Sequence, residues 1–305
     1  MKIAAVIVTF NRLEKLKKAL SAYEAQVTPV DDLIVVDNYS TDGTRSFLKE
    51  WEKERGESSR HVIYMEENLG GSGGFHDGCQ YAMNLNPDWI FVADDDAYPK
   101  ENIFRLFCDY INENSTERLG AICATVINKD HTIALDHRSK IQIHNNVKLV
   151  INPSSEDMYC SSFDLDVFSY VGTFLSAKAL HDVGVCEKGF FIYADDAEHS
   201  LRIRRWGRIV CLPQLKIFHD CGAQAQKDDG SLMSWRDYYL MRNRMFLLKR
   251  HYPQAIPYTM MLYVYAAMRT KSIACIKLTF TALFNGLISK LGKHTLYKPN
   301  YVIKK

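Results

Sequence analysis

Four short apolar runs, Ile3–Val8, Leu33–Val36, His61–Met65 and Trp89–Ala93, recur along the first third of the chain with helix-spaced segments between them. The runs are nearly continuous rather than alternating, as in parallel strands covered on both faces. Between the first two, Leu13–Tyr23 places Leu13, Leu16 and Leu20 on one helical face. The polar turn Asp37–Thr44 opens a helix expected over Thr44–Glu54, and Phe75–Asn84 reads as a third. This β-α-β-α-β-α-β order leaves an α/β fold as the economical solution: a doubly wound, mostly parallel central sheet. In such sheets ligands gather at the carboxyl ends of the strands. Every conspicuous polar motif of the N-terminal part stands at one of those ends.

Further along, Asn102–Asn112 is expected to be helical, Ala121–Ile127 a strand, and 130–162 a polar hairpin with a mobile loop. Phe168–Leu175 reads as a strand, and Ala177–Val183 and Ala197–Trp206 as helices, the latter ended by Gly207. The eight cysteines are scattered without a CxxC pair, which argues for reduced, buried thiols in a cytosolic protein rather than a disulfide framework or zinc site. Lys2 precedes only a short apolar run that passes straight into Thr9, so a secretory signal is not expected.

Asp94-Asp95-Asp96 follows the fourth apolar run directly. Three adjacent carboxylates repel one another unless a cation compensates them. Mg²⁺ or Mn²⁺ carrying a diphosphate on its far side would do so, whereas an acidic strand-to-turn junction is the plain alternative. Residues 68–78 hold five of the sixteen glycines, and Gly71, Ser72, Gly73 and Gly74 read as a substrate-contacting loop before a helix. No Gly-Lys-Ser/Thr follows, so it is not a P-loop. Coming after the third strand, it is not a first-turn dinucleotide fingerprint either. Thr9, Asn11 and Arg12 at the first strand end and Asp37 at the second can hydrogen-bond a nucleobase and ribose, though such residues are also routine in turns. A second acidic pair, Asp195-Asp196, precedes Glu198. With Asp195 as N-cap and Glu198 at N3 the sequence resembles a capping box, which frees Asp196 as a general base. His219 ends a strand expected near Lys216–Asp220, where a lone histidine is more often structural than a ligand.

Charge is divided unevenly. Residues 1–226 carry 24 Lys+Arg and 33 Asp+Glu, whereas 227–305 carry 14 Lys+Arg and three Asp, balances of −9 and +11. The chain is accordingly divided into a catalytic domain, 1–226, and a basic, amphipathic helical region, 227–305. Within the latter, Ala255–Met268 and Ile273–Ile288 are apolar and aromatic but shorter than the roughly 20 uninterrupted residues that span a bilayer. Basic, aromatic and apolar residues together point to helices lying on an anionic membrane face rather than to nucleic acid. The alternative is an ordinary packing domain with a solvated basic side.

Taken in order, Thr9–Arg12, Asp37, Asn68–Phe75, Asp94–Asp96, Asp195-Asp196 and His219 resemble the inverting family 2 glycosyltransferases of GT-A fold over roughly residues 1–225. Asn68-Leu-Gly-Gly-Ser-Gly-Gly-Phe is similar to the bacterial galactofuranosyltransferases and rhamnosyltransferases. So are Tyr238-Tyr239-Leu-Met-Arg242-Asn243 and the segment from Phe284 to Lys293. The resemblance implies that Thr9, Asn11, Arg12, Asp37 and Gly71–Gly74 hold a nucleotide-sugar donor together with Asp94 and Asp95. It implies that Asp94, Asp96 and His219 bind Mn²⁺ or Mg²⁺, and that Asp196 is the base. UDP-galactofuranose is the favoured donor and dTDP-rhamnose the next. The acceptor would be a hydroxyl of a cell-surface glycan or of a lipid-diphosphate-linked oligosaccharide, met in the cytoplasm at the inner membrane face. An oligomer is compatible with this. Arg205-Trp206 lacks the Gln that processive synthases carry three residues before the Arg, since position 202 is Arg, so processive synthesis is not expected. The alternatives are a sugar-phosphate nucleotidyltransferase, which usually carries a basic glycine-rich loop where Thr9–Arg12 stands, and a non-catalytic membrane-surface protein.

Overall fold

In the computed structural model, which describes residues 1–54, 56–114, 117–144, 147–151, 157, 159–220 and 231–304, the alternation of the N-terminal part is realised element by element. β1 (Ile3–Thr9), α1 (Leu13–Glu24), β2 (Asp32–Asp37), α2 (Thr44–Trp51), β3 (Ser59–Tyr64), α3 (Gly70–Asn84) and β4 (Trp89–Asp94) follow in turn. β5 (Ala97–Pro99), α4 (Ile103–Glu113), β6 (Leu119–Asn128), β7 (Arg138–His144) and β8 (Val147–Ile151) come next. Then come β9 (Phe163–Leu165), β10 (Val167–Phe168), β11 (Thr173–Ser176), α5 (Ala177–Val183), α6 (Asp195–Trp206) and β12 (Arg208–His219). The C-terminal segment holds β13 (Ser231–Ser234), α7 (Trp235–His251), α8 (Ile256–Arg269), α9 (Ile273–Leu287) and β14 (Val302–Lys304).

The main sheet runs β3-β2-β1-β4-β11-β6-β12-β5, with β9 against β12. β3, β2, β1 and β4 are mutually parallel, and β6 and β12 continue that direction beyond β11, which runs antiparallel between β4 and β6, as β5 and β9 do against β12. β1 and β2 are buried at every position, as continuous apolar runs require of strands sandwiched between helix layers. Two apolar clusters cover the two faces. One gathers Leu16, Leu20 and Tyr23 of α1 with Phe104 and Phe107 of α4; the other gathers Phe75, Cys79 and Ala82 of α3 with Ile203 of α6.

Several local expectations are corrected. The glycines of 70–74 do not form a loop ahead of a helix at Phe75; they are the first turn and a half of α3. The reason is close packing. A Cβ on Gly74 would lie 2.4 Å from Val8, and one on Gly78 2.5 Å from Val6, so the helix can rest on β1 only with glycine there. Phe168–Leu175 is not one strand, because the carbonyls of Val171 and Gly172 turn to the buried guanidinium of Arg138. α6 begins at Asp195 rather than Ala197, with Ala194 in the left-handed region as its N-cap. The capping box is therefore absent. Glu198 instead binds Arg202 (2.9 Å), His251 (3.0 Å) and Arg250 (3.1 Å), tying α6 to α7. The expected hairpin within 130–162 is β7–β8. Much of the loop expected after it, and the boundary expected between 226 and 227, lie outside the described residues.

Candidate active site

At the carboxyl ends of β1 and β4 lies an open cavity of about 380 Å³, lined among others by Thr9, Arg12, Asn38, Asn68, Gly71, Asp94 and Asp95. Phe191, Trp235, Arg236 and Pro299 close its other side, so the C-terminal segment forms part of the wall.

The three aspartates separate into distinct environments. Asp95 is buried and turned back into the protein, accepting from Thr9 Oγ1 (2.7 Å) and Arg12 (3.2 Å). Asp96 is also buried and accepts from Arg12 (2.9 Å) and Lys15 (3.1 Å), with His219 Nε2 at 3.3 Å. Asp94 remains partly open at the cavity. Burial, with Asp96 and Asp95 adjacent, pushes Asp94 up to about 7. Burial would raise Asp96 too, but the hydrogen bond from His219 and the charge of Arg12 outweigh it and hold it at about 2. Part of the compensation demanded by the triplet thus comes from the chain's own Arg12 and Lys15.

One ligand atom each from Asp94, Asp96 and His219 falls within 4.8 Å of the others. Two carboxylate oxygens and an imidazole nitrogen suit Mn²⁺ or Mg²⁺. The second ring nitrogen of His219, Nδ1, is buried without a hydrogen-bond partner among the described residues. His137 stands beside that ring, centroids 5.1 Å apart, and burial with Arg138 nearby lowers it to about 3, so it adds no charge. The residues fit a divalent ion.

The second acidic pair comes near this cluster from α6. Asp195 is buried, and burial together with Asp196 raises it well above the usual carboxylate range, which disfavours its ionised form. Asp94 also raises Asp195, which places the pair within electrostatic reach of the triplet. Asp196 is half-buried and accepts from the Ala197 N–H (2.7 Å). Burial pushes it up to about 6, opposed by that hydrogen bond and by Arg138. Arg138 is a fully buried cation whose five N–H groups all go to Ala124, His137, Val171 and Gly172 carbonyls and the Ser169 hydroxyl. Environment, not capping, separates the two aspartates.

Not every residue singled out in the sequence reaches the cavity. Asp37 is fully buried, accepting from the Ser40 N–H and from Arg45 Nε (2.6 Å). Asn11 accepts from the Thr41 N–H and so braces the neighbouring turn. Ser72 is buried and donates to the Lys188 carbonyl, while Gly73 and Gly74 back onto Leu69 and Val8; Gly71, with Gly70 before it, lines the opening. Asn38, Trp235 and Arg236 were missed. Asn38 donates to the Gly70 carbonyl and accepts from the Leu69 N–H, joining the end of β2 to the start of α3. Its adjacency to Asp37 was a usable signal. For Trp235 and Arg236, some 140 residues beyond the triplet, the only local cue was a helix start, with Asp237 accepting from the Ser234 N–H.

A family model described as glycosyl transferase family 2 matches residues 4–163. The galactofuranosyltransferase GlfT1 of Mycolicibacterium smegmatis is 27% identical over 268 residues, which cover 81% of this chain and 83% of that protein. The dTDP-rhamnosyl transferase RfbF of Shigella flexneri is 25% identical over 257 residues, covering 82% of this chain and 81% of that one. A solved structure, the mannosyltransferase PcManGT from Pyrobaculum calidifontis in complex with GDP-Man and Mn²⁺, superposes with a TM-score of 0.56 at 15% identity. It covers 96% of this chain and 76% of the other, a likeness of fold.

Proposed function

Because the chain belongs to the family 2 glycosyl transferases, we propose that it moves one sugar, with inversion, from a nucleotide donor to a hydroxyl of a cell-surface glycan or lipid-diphosphate-linked oligosaccharide. UDP-galactofuranose is the first donor to test and dTDP-rhamnose the second, after the two relatives. The observation that carries this reading is two acidic groups of different character within electrostatic reach of each other. One, Asp94–Asp96 with His219, is suited to a cation; the other sets Asp195, whose burial disfavours the ionised form, beside Asp196, raised less.

In the proposed reaction the acceptor oxygen attacks the anomeric carbon, the bond from that carbon to the diphosphate breaks, and the acceptor proton passes to Asp196. Arg12 and the N-terminal end of α3 at Gly70 and Gly71 favour the donor's negative charge. Asp95, held by Thr9 and Arg12, keeps that arginine in place. A divalent ion at Asp94, Asp96 and His219 would neutralise charge developing on the departing nucleoside diphosphate. Screening nucleotide sugars with Mn²⁺ by thermal shift tests the assignment. UDP or dTDP sugars should raise Tm more with metal than without it, and no stabilisation by any nucleotide sugar would refute it.

The acceptor side of the proposal rests on the C-terminal segment. Among the described residues no helix is long and apolar enough to cross a membrane. Yet Tyr258, Met261, Leu262, Tyr265 and Met268 recur along one face of α8, each exposed by 41% or more, and Phe280 and Phe284 stand out from α9. Arg269, Lys271 and Lys277 lie among them. Such faces suit the plane of an anionic bilayer, here the inner side of the cytoplasmic membrane. Sedimentation with phosphatidylglycerol vesicles should capture the full chain at low salt and lose it on raising salt or on M261E/F284E; salt-independent or unaltered capture would count against docking.

A further inference from the structure

The turn that delivers Asp195 and Asp196 is backbone-strained. Phe191, Tyr193 and Ala194 have φ of 68°, 63° and 64°, the left-handed region that residues with a Cβ avoid. Nothing in the sequence of this turn favours the conformation, since none of the three is Gly, Asn or Asp. Conformations of this kind persist only where the surroundings over-determine them, and they cluster at functional sites.

Here the surroundings are two adjacent residues of α7. Asn243, fully buried, points its amide nitrogen at three carbonyls of the turn: Phe190 (3.0 Å), Ile192 (2.7 Å) and Tyr193 (2.9 Å). Its side-chain oxygen accepts from Arg242 Nε (2.8 Å). Arg242, also buried, donates to the carbonyls of Gly189 (3.1 Å), Phe190 (2.8 Å) and Gly292 (2.5 Å), its guanidinium over the Tyr239 ring at 4.7 Å. Among the described residues no carboxylate pairs with Arg242, so its charge is met by carbonyl dipoles of the turn itself. Tyr193 is followed at once by Ala194, the N-cap of α6, and then by the acidic pair.

We propose that Arg242 and Asn243 are positioning residues for Asp196: they hold 189–193 in its left-handed path and so fix where the carboxylate meets the acceptor hydroxyl. The inference rests on the reading of Asp196 as the base. It gives the C-terminal segment a part in the chemistry separate from any surface it docks on.

The test is Asn243→Ala in the full chain. Turnover should fall at least about tenfold while donor KM and UDP affinity stay within about twofold, and deuterium exchange should quicken at the amides of 190–197 only. Asn243→Ser, which keeps one donor, should fall between. Adding Ala194→Gly, which makes a left-handed residue easy, should restore part of the lost turnover. Full turnover in folded Asn243→Ala, unchanged exchange at 190–197, or loosening across the whole protein would each overturn the proposal. So would failure of both variants to fold, since the pair would then be ordinary core. Should the wild-type chain transfer no sugar, the assignment of Asp196 fails, while the exchange data still judge the clamp.

Discussion

Replacing Asp196 by Asn is expected to lower kcat by about 10³-fold while leaving UDP affinity within about threefold of wild type. The amide has nearly the same shape and can still accept from the Ala197 N–H, but it cannot take a proton from an attacking hydroxyl. Asp195 is a poor substitute, because burial and the neighbouring carboxylate disfavour its ionised form. The same electrostatics set the pH dependence. Only ionised Asp196 can act as base, and burial raises it to about 6, so kcat should be flat above neutrality and decline as pH falls through about 6. Single-turnover assays across pH would show both effects. Normal turnover by the variant, or an acid limb near 4 in the wild type, would remove Asp196 from this role.

The second large effect belongs to Asp96. Asp96→Ala should weaken Mn²⁺-dependent UDP binding by more than about 100-fold, leaving metal-free binding nearly as it was. Asp96 holds together Arg12, Lys15 and His219, so the alanine loses a ligand and also frees three cationic or imidazole partners. Asp96→Asn separates the two effects: it keeps the volume and, through its one oxygen, can keep the hydrogen bonds from Arg12 and Lys15, but it offers a poorer ligand. His219→Ala should weaken metal dependence less, because both carboxylates remain. Titration calorimetry of UDP with and without Mn²⁺ reads all three variants. Equal heats in Asp96→Ala and wild type would show that the cluster serves only to balance Arg12 and Lys15.

How much of this could be read from residues alone depended on range. β1 to β4 and the helices between them were legible because each is a local pattern, and the carboxyl-end position of Asp94–Asp96 followed from the alternation. The glycine run was misread because glycine signals both backbone freedom and close packing. Only the distance from Gly74 to Val8 tells the two apart. The capping argument chose Asp196 for a reason the structure removes; burial and Arg138 now supply a different one. Asn243 and Trp235 were invisible as site residues because their partners, Phe190 to Tyr193 and the cavity wall, are joined to them only by folding.

The antiparallel strand β11, set between β4 and β6, bears on how the chain is made. β3, β2, β1 and β4 complete themselves from residues 3–94, but the outer edge of β4 gains a partner only when Thr173–Ser176 arrive. At ordinary ribosomal speeds of about 5–20 residues per second, the 78 residues between Asp94 and Thr173 keep that edge bare for roughly 4–16 s. An unpaired Trp-Ile-Phe-Val-Ala edge is a template for aggregation, and charge at its end is a usual guard against it. Asp94, Asp95 and Asp96 stand at the end of that edge, so neutralising all three at once should lower the yield of folded protein.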